Sequence, residues 1–275
     1  CWARSRWMAK VTVIMGIYNC AYTLGAALDS LSSQTFTDWN IVMCDDGSSD
    51  TTYEVAEQYQ AKYPNKVKLI RNKRNMGLNH TLNRCLEFAD GDYIARQDGD
   101  DMSMPTRFEK EVAILDSNSE IAIVSTAMTY FDESGTWGQS RPTEFPQKNN
   151  FIAGTPFCHA PCMVRREAYL SVGGYTEDKR YLRVEDYDLW IKMYAAGFHG
   201  QNIMEPLYAM RDDRNAFARR KFKYRINEFH VRLKAAKVLG LSAKAYLYAV
   251  RPILVGMLPN SIYKTLHQRR LWNRG

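Results

Sequence analysis

The stretch Tyr93–Ile94–Ala95–Arg96–Gln97–Asp98–Gly99–Asp100–Asp101 decides how this chain reads. A short apolar run of strand type, Asp92–Gln97, ends on three carboxylates within four residues. Two earlier runs behave the same way. Val11–Ile17 is apolar and hands over to Tyr18–Asn19, and Trp39–Cys44 hands over to Asp45–Asp46–Gly47–Ser48–Ser49. Val67–Arg71 and Ile121–Phe131 are further strand-like runs. Helical patterns separate them: Tyr22–Ser33 with Leu24, Ala27, Leu28 and Leu31 on one face, then Asp50–Tyr63, Gly77–Ala89 and Pro105–Asp116. Ser49 or Asp50 is expected to cap the second helix. Strands alternating with helices of this length predict an α/β fold with a parallel sheet. Ligands in such sheets sit at the carboxyl ends of the strands, so the polar residues after each strand are the ones to read.

Three carboxylates crowded at Asp98, Asp100 and Asp101 repel one another unless a cation is near. Oxygen ligands select hard cations such as Mg²⁺ or Mn²⁺, and Gly99 lets the backbone turn so that Asp98 and Asp100 face one side. Such a metal neutralises a departing diphosphate. The plain alternative is a solvated acidic turn. The Tyr18 ring offers a stacking face for a nucleobase, and Asp45 and Asp46 offer acceptors for a base N–H. The alternative there is a turn and a helix cap. Glu185–Asp186, opening the helical run Glu185–Ala195, places a carboxylate that could serve as general base, or simply favours the helix N-terminus.

The chain has 275 residues, 45% hydrophobic and 24% charged, enough apolar mass for one sizeable core. Asp132–Thr155 is rich in Gly, Pro, Asn and Gln and is expected to be a long loop or excursion. The net charge of +7 is uneven: residues 211–275 carry about +13, leaving the body acidic. This divides the chain into a body over 10–210 and a basic, helical extension over 211–275. Arg219–Arg225 interleaves cations with aromatics, and Ala243–Tyr263 is largely apolar. Together they read as an element lying on an anionic inner-leaflet membrane surface. RNA binding and a solvated helical cap are the rival readings, and no nucleic-acid partner is expected. No run of about 20 apolar residues predicts a transmembrane helix. Cys1–Lys10 lacks the apolar core of a signal peptide, and Met8 reads as a start. The expected place is therefore the cytoplasm, peripherally associated with the inner face of the cell membrane. The six cysteines read as reduced thiols, and Cys158, His159 and Cys162 as buried residues rather than zinc ligands.

Taken together, the ordered motifs resemble the family-2 glycosyltransferases of GT-A fold. They are Val13–Asn19, Ser33–Phe36, Cys44–Asp50, Gly91–Ile94, Gln97–Asp101, Val172–Tyr175 and Glu185–Trp190, covering residues 11 to about 211. Tyr93–Asp101 and Gly154–His159 are similar to runs of the EpsE-type enzymes of bacterial exopolysaccharide operons, associated with biofilm, as is the basic tail. The resemblance implies a Rossmann-like nucleotide-binding half with a mixed, mostly parallel sheet. It implies that Tyr18 stacks on the base and that Asp46 reads the base edge with Asp45 in support. Asp98 then lies by the ribose and metal, Asp100 is the main metal ligand, and Asp186 is the catalytic base of an inverting transfer. The implied donor is a nucleotide-sugar, UDP-sugar first, with Mn²⁺ or Mg²⁺ as cofactor and a lipid-linked sugar as acceptor. Gln268–Arg269–Arg270–Leu271–Trp272 departs from the Gln-x-x-Arg-Trp motif of processive members, which implies transfer of a single sugar. His159 and Arg211 are further candidates for the pocket. A nucleotidyltransferase or a dinucleotide dehydrogenase would need a Gly-rich phosphate loop after the first strand, and Gly16 alone does not supply one. The non-enzyme alternative is a regulator that uses this body to bind a protein partner.

Overall fold

The computed structural model describes residues 9–212 and 222–257. The chain begins β1 (Val11–Ile17), α1 (Ala21–Ser32), β2 (Trp39–Asp45), α2 (Thr52–Lys62), β3 (Val67–Arg71), α3 (Leu78–Leu86) and β4 (Tyr93–Arg96). It continues through β5 (Met102–Ser103), α4 (Arg107–Ser117), β6 (Ile121–Asp132), β7 (Gly135–Gln139), β8 (Met163–Arg165) and α5 (Arg166–Ser171). It closes with α6 (Glu185–Ala195), β9 (His199–Arg211), α7 (Phe222–Val238) and α8 (Ala243–Gly256). The strands form one mixed sheet in the order β3-β2-β1-β4-β8-β6-β9-β5, with β7 paired to β6.

The first four strands in that order are parallel, with Val13 opposite Ile41 on β2 and Ala95 on β4. Alternation along β1 divides its side chains between two layers, because successive residues point to opposite faces. Val11, Val13, Met15 and Ile17 pack with Leu24, Ala27, Leu28 and Leu31 of α1. Ile14 joins Leu82 and Cys85 of α3, Trp190 of α6, and Val231 and Ala235 of α7 on the other side. From β8 onward the pairing turns antiparallel, except for a bulged parallel ladder between β6 and β9. The two-residue β5 pairs Met102 with Ala209, which draws the end of the acidic loop against the end of β9.

The stretch 132–155, expected as a long loop or excursion, holds β7 and a 3₁₀ turn over Lys148–Ile152. The strand escapes sequence reading because it has no buried face and pairs only with the end of β6, where the Tyr130 and Trp137 rings stack at 5.3 Å. The second helix starts at Thr52, two residues later than expected, and neither Ser49 nor Asp50 is its N-cap: that is Thr51, which makes no side-chain capping bond, while Asp50 just before it receives the first helical N–H. The Asp50 Oδ1 accepts from the Thr52 N–H at 3.0 Å, while Ser49 donates to Asn19.

Residues 222–257 form two helices that pack against each other. α7 is built into the body: Lys234 pairs with buried Asp188 on α6, and Arg232 donates to the Ile152 carbonyl at 2.9 Å. α8 turns Ala245, Ala249 and Pro252 inward and leaves Leu247, Val250, Leu254 and Met257 exposed. No described helix is long and apolar enough to cross a membrane. Met8, Arg219–Lys221 and the Gln268–Trp272 run lie outside the described residues.

Candidate functional site

The parallel strands end on one edge of the sheet, and their loops enclose a cavity of about 600 Å³. Its lining includes Tyr18 after β1, Arg96, Asp98 and Asp100 around the end of β4, Arg183 before α6, and Arg211 at the end of β9. Tyr18 is 47% exposed, so its ring face is open for stacking. Asn19 adopts a left-handed backbone with φ 49°, and its Oδ1 accepts from the Ser49 N–H at 2.9 Å. That bond ties the β1 loop to the β2 loop.

The acidic turn after β4 is held close to β1. A Cβ on Gly99 would come within 2.8 Å of the Cys20 sulfur, so only glycine allows this approach. Asp98 pairs with the Arg96 guanidinium at 2.6 Å. Asp100 is held above the usual carboxylate range by burial and then by the Asp98 charge. Asp101 is pushed up to about 8 by burial and by the charges of Asp98 and Asp100, and accepts from the Arg211 N–H at 2.8 Å. A bound cation would relieve this crowding. Among the described residues no group of three or more Asp, Glu, His or Cys forms a metal cage. Asp98 and Asp100 are the residues that would hold a divalent cation here, with oxygens of water or ligand completing its shell.

The aspartates after β2 are placed differently. Asp45 is fully buried, pairs with Arg71 at 2.9 Å and receives the Ser48 N–H. Asp46 accepts from Asn72 Nδ2 at 2.8 Å, the Met76 N–H at 2.8 Å and the Gly77 N–H at 2.9 Å. The pair holds the turn before α2 and the loop before α3, and neither side chain lines the cavity. Three bonds leave Asp46 one acceptor site of its four.

Asp186 stands in the first turn of α6, outside the cavity lining. Burial and then the Glu185 charge push its carboxyl up to about 7, while the Arg96 guanidinium pulls it down. Arg96 therefore acts on both acidic sites. His159 is half-buried, its Nε2 bonded to the Tyr175 hydroxyl at 2.9 Å, and desolvation holds it well below the ordinary histidine range. Arg211 reaches the cavity and lays its guanidinium 4.8 Å from the Phe131 ring centre. The sequence reading missed Arg96 and Arg183. Arg96 sits two residues before the acidic turn, where alternation of side chains along a strand gives the only hint of its direction. Arg183 gives a signal only in three dimensions, a non-glycine residue at φ 68°.

The glycosyl transferase family 2 model matches residues 12–173. EpsE of Bacillus subtilis (strain 168), which bears a glycosyltransferase name, is 42% identical over 265 residues, covering 96% of this chain and 95% of that protein. An Escherichia coli UDP-Gal:alpha-D-GlcNAc-diphosphoundecaprenol beta-1,3-galactosyltransferase is 28% identical, covering 95% of this chain and 98% of its own length. The crystal structure of S. aureus TarS 1–349 in complex with UDP-GlcNAc superposes with a TM-score of 0.68 at 18% identity, over 89% of this chain and 70% of that one.

Proposed function

The chain belongs to glycosyl transferase family 2, has the GT-A fold and is a glycosyltransferase; from that premise we propose that it moves one sugar, with inversion, from a UDP-sugar to a hydroxyl of a lipid-linked acceptor in bacterial exopolysaccharide synthesis. The observation that carries this reading is the cavity in which Asp98, Asp100 and the open ring of Tyr18 stand together. Tyr18 stacks on the base. Asp45 and Asp46 shape the base pocket by bracing its loops, with the spare acceptor of Asp46 left for the base edge. Asp98 and Asp100 hold a divalent cation, Mn²⁺ or Mg²⁺, which when bound neutralises charge on the departing diphosphate. Asp186 takes the proton from the acceptor hydroxyl. A carboxyl at about 7 is matched to that task near neutral pH.

The galactosyltransferase relative is named for a UDP-sugar donor and a lipid-diphosphate acceptor, which supports the same chemistry here. A lipid-linked acceptor brings the enzyme to the cytoplasmic face of the membrane. The outward apolar residues of α8, bordered by Lys244 and Arg251, suit a peripheral contact with an anionic leaflet. The deciding experiment is calorimetric titration of UDP, GDP and dTDP, each with and without Mn²⁺, into wild type and Asp100→Ala. Cation-dependent binding of UDP that disappears in the variant is expected. Absence of nucleotide binding in wild type would overturn the reading, and preference for GDP or dTDP would overturn its donor.

A further inference from the structure

Arg107, at the start of α4, has a wholly buried side chain. A buried guanidinium must satisfy its N–H groups with protein acceptors. Its Nη2 donates to the carbonyls of Arg96 at 2.9 Å and Cys162 at 3.4 Å. Its Nη1 donates to Ser103 Oγ at 2.8 Å and Gln97 Oε1 at 3.3 Å, and its Nε faces Glu111. Glu111 takes only the Nε edge. Three of the five partners lie instead within residues 96–103, the segment that carries the acidic turn.

Gln97, also fully buried, passes the constraint on. Its Oε1 is fixed by Arg107 and Ser103, and its Nε2 donates to the carbonyls of Asp98 at 3.2 Å and Asp101 at 3.0 Å. Both ends of the turn are thereby pinned from inside. Thr23 and Tyr208 hold it from the other sides, at the Gly99 carbonyl and the Asp98 N–H.

We propose that Arg107 is a positioning residue for the acidic turn: through Gln97 and the Arg96 carbonyl it fixes where Asp98 and Asp100 present their carboxylates, and so sets the affinity of the site for a divalent cation and nucleoside diphosphate. This rests on the nucleotide-sugar reading for its ligand, and on the hydrogen-bond network alone for its mechanism. Groups that orient metal-ligating side chains from behind commonly govern metal affinity.

The test uses Arg107→Lys, which keeps a cation for Glu111 but gathers its donors on one nitrogen and cannot span the Gln97 and Arg96 oxygens together. In the ligand-free protein, amide hydrogen exchange over residues 98–103 is expected to quicken while β1, β2 and the body of α4 keep their protection. With UDP present, apparent Mn²⁺ affinity is expected to fall on the order of 10-fold, with UDP affinity in the absence of cation unchanged. Unchanged exchange in the turn, or a rise spread evenly over the whole chain, overturns the proposal. So does an unchanged Mn²⁺ affinity. Should Arg107→Lys fail to fold, Gln97→Met cuts the same link while leaving the Arg107–Glu111 pair, and the same selective pattern is expected. Wild type that takes up no Mn²⁺ with UDP would sink the nucleotide-sugar reading, while the ligand-free exchange still decides the role of Arg107.

Discussion

Two parallel strands flank β1, and both end on aspartates, yet the two pairs do opposite things. After β2, Asp45 and Asp46 meet Arg71, Asn72 and three backbone N–H groups. After β4, Asp98 meets Arg96, while Asp100 and Asp101 are crowded and raised toward protonation. A carboxylate pair surrounded by donors is a brace for its loops. A group with fewer donors keeps its charge crowded, which the proposed cation would relieve. The number of N–H groups facing each pair separates the two, and that number depends on the fold of residues distant in sequence.

The sharpest way to break this contrast is at the two residues given chemical roles. Asp100→Ala is expected to lower sugar transfer by about 10³-fold and to abolish cation-dependent UDP binding, since a metal supplies several kcal/mol to a developing charge. Asp186→Asn should cost a similar factor, about 10³-fold, with UDP and Mn²⁺ binding intact. Radiometric transfer assays beside calorimetry separate the two, and a Asp186→Asn enzyme that still transfers at wild-type rate removes Asp186 from the chemistry. Asp46→Ala should act first on folding. Leaving the Met76 and Gly77 N–H groups and Asn72 without their acceptor costs about 3 kcal/mol, read as a lower urea midpoint. An unchanged midpoint with lost UDP affinity would erase the distinction between brace and ligand site.

Smaller effects follow from pH. Transfer should rise with pH through about 7, because Asp186 must lose its proton before it can accept another. Stability should move the other way. Asp101, Glu111 and Asp186 have carboxyls raised to about 8, 8 and 7 in the folded chain, so folding favours their protonated forms. Their contribution is full below the unfolded carboxylate range and is lost as pH climbs through 7 and 8. Melting temperature should therefore fall steadily from about pH 5 to about pH 8, and Glu111→Gln should flatten that slope. A slope equal in both proteins would show that Glu111 does not contribute.

The parallel half of the fold was legible because its information is local. Val11–Ile17 and Val67–Arg71 read from their apolar runs with the bounds they have in the structure, and the four-residue face of α1 reads from its spacing. Of the later strands β6 was read as well, as Ile121–Phe131 against Ile121–Asp132, but β8 and β9 were not. β8 has three residues, and β9 carries Gly200, Glu205 and Pro206 and is bulged against β6, so neither shows a clean period of two. Of the site, the acidic turn and Tyr18 were visible because they punctuate strand ends. Arg96, Arg183 and Arg107 were not, because a cation becomes informative only when its surroundings are known. Asp188 shows the reverse case: it belongs to an acidic motif at the start of α6, yet it is buried and spent on Thr176 and Lys234.

The packing of α7 sets an order of events during synthesis. Val231, Ala235, Ala236 and Ala245 fill the same cluster as Ile14 of the first strand. A ribosome delivers Ile14 long before those residues emerge, and the ribosomal tunnel delays them further. α3, α5 and α6 cover much of that face first, and the cluster is completed only when α7 has been made. A chain cut short before α7 would leave that part of the cluster open to water.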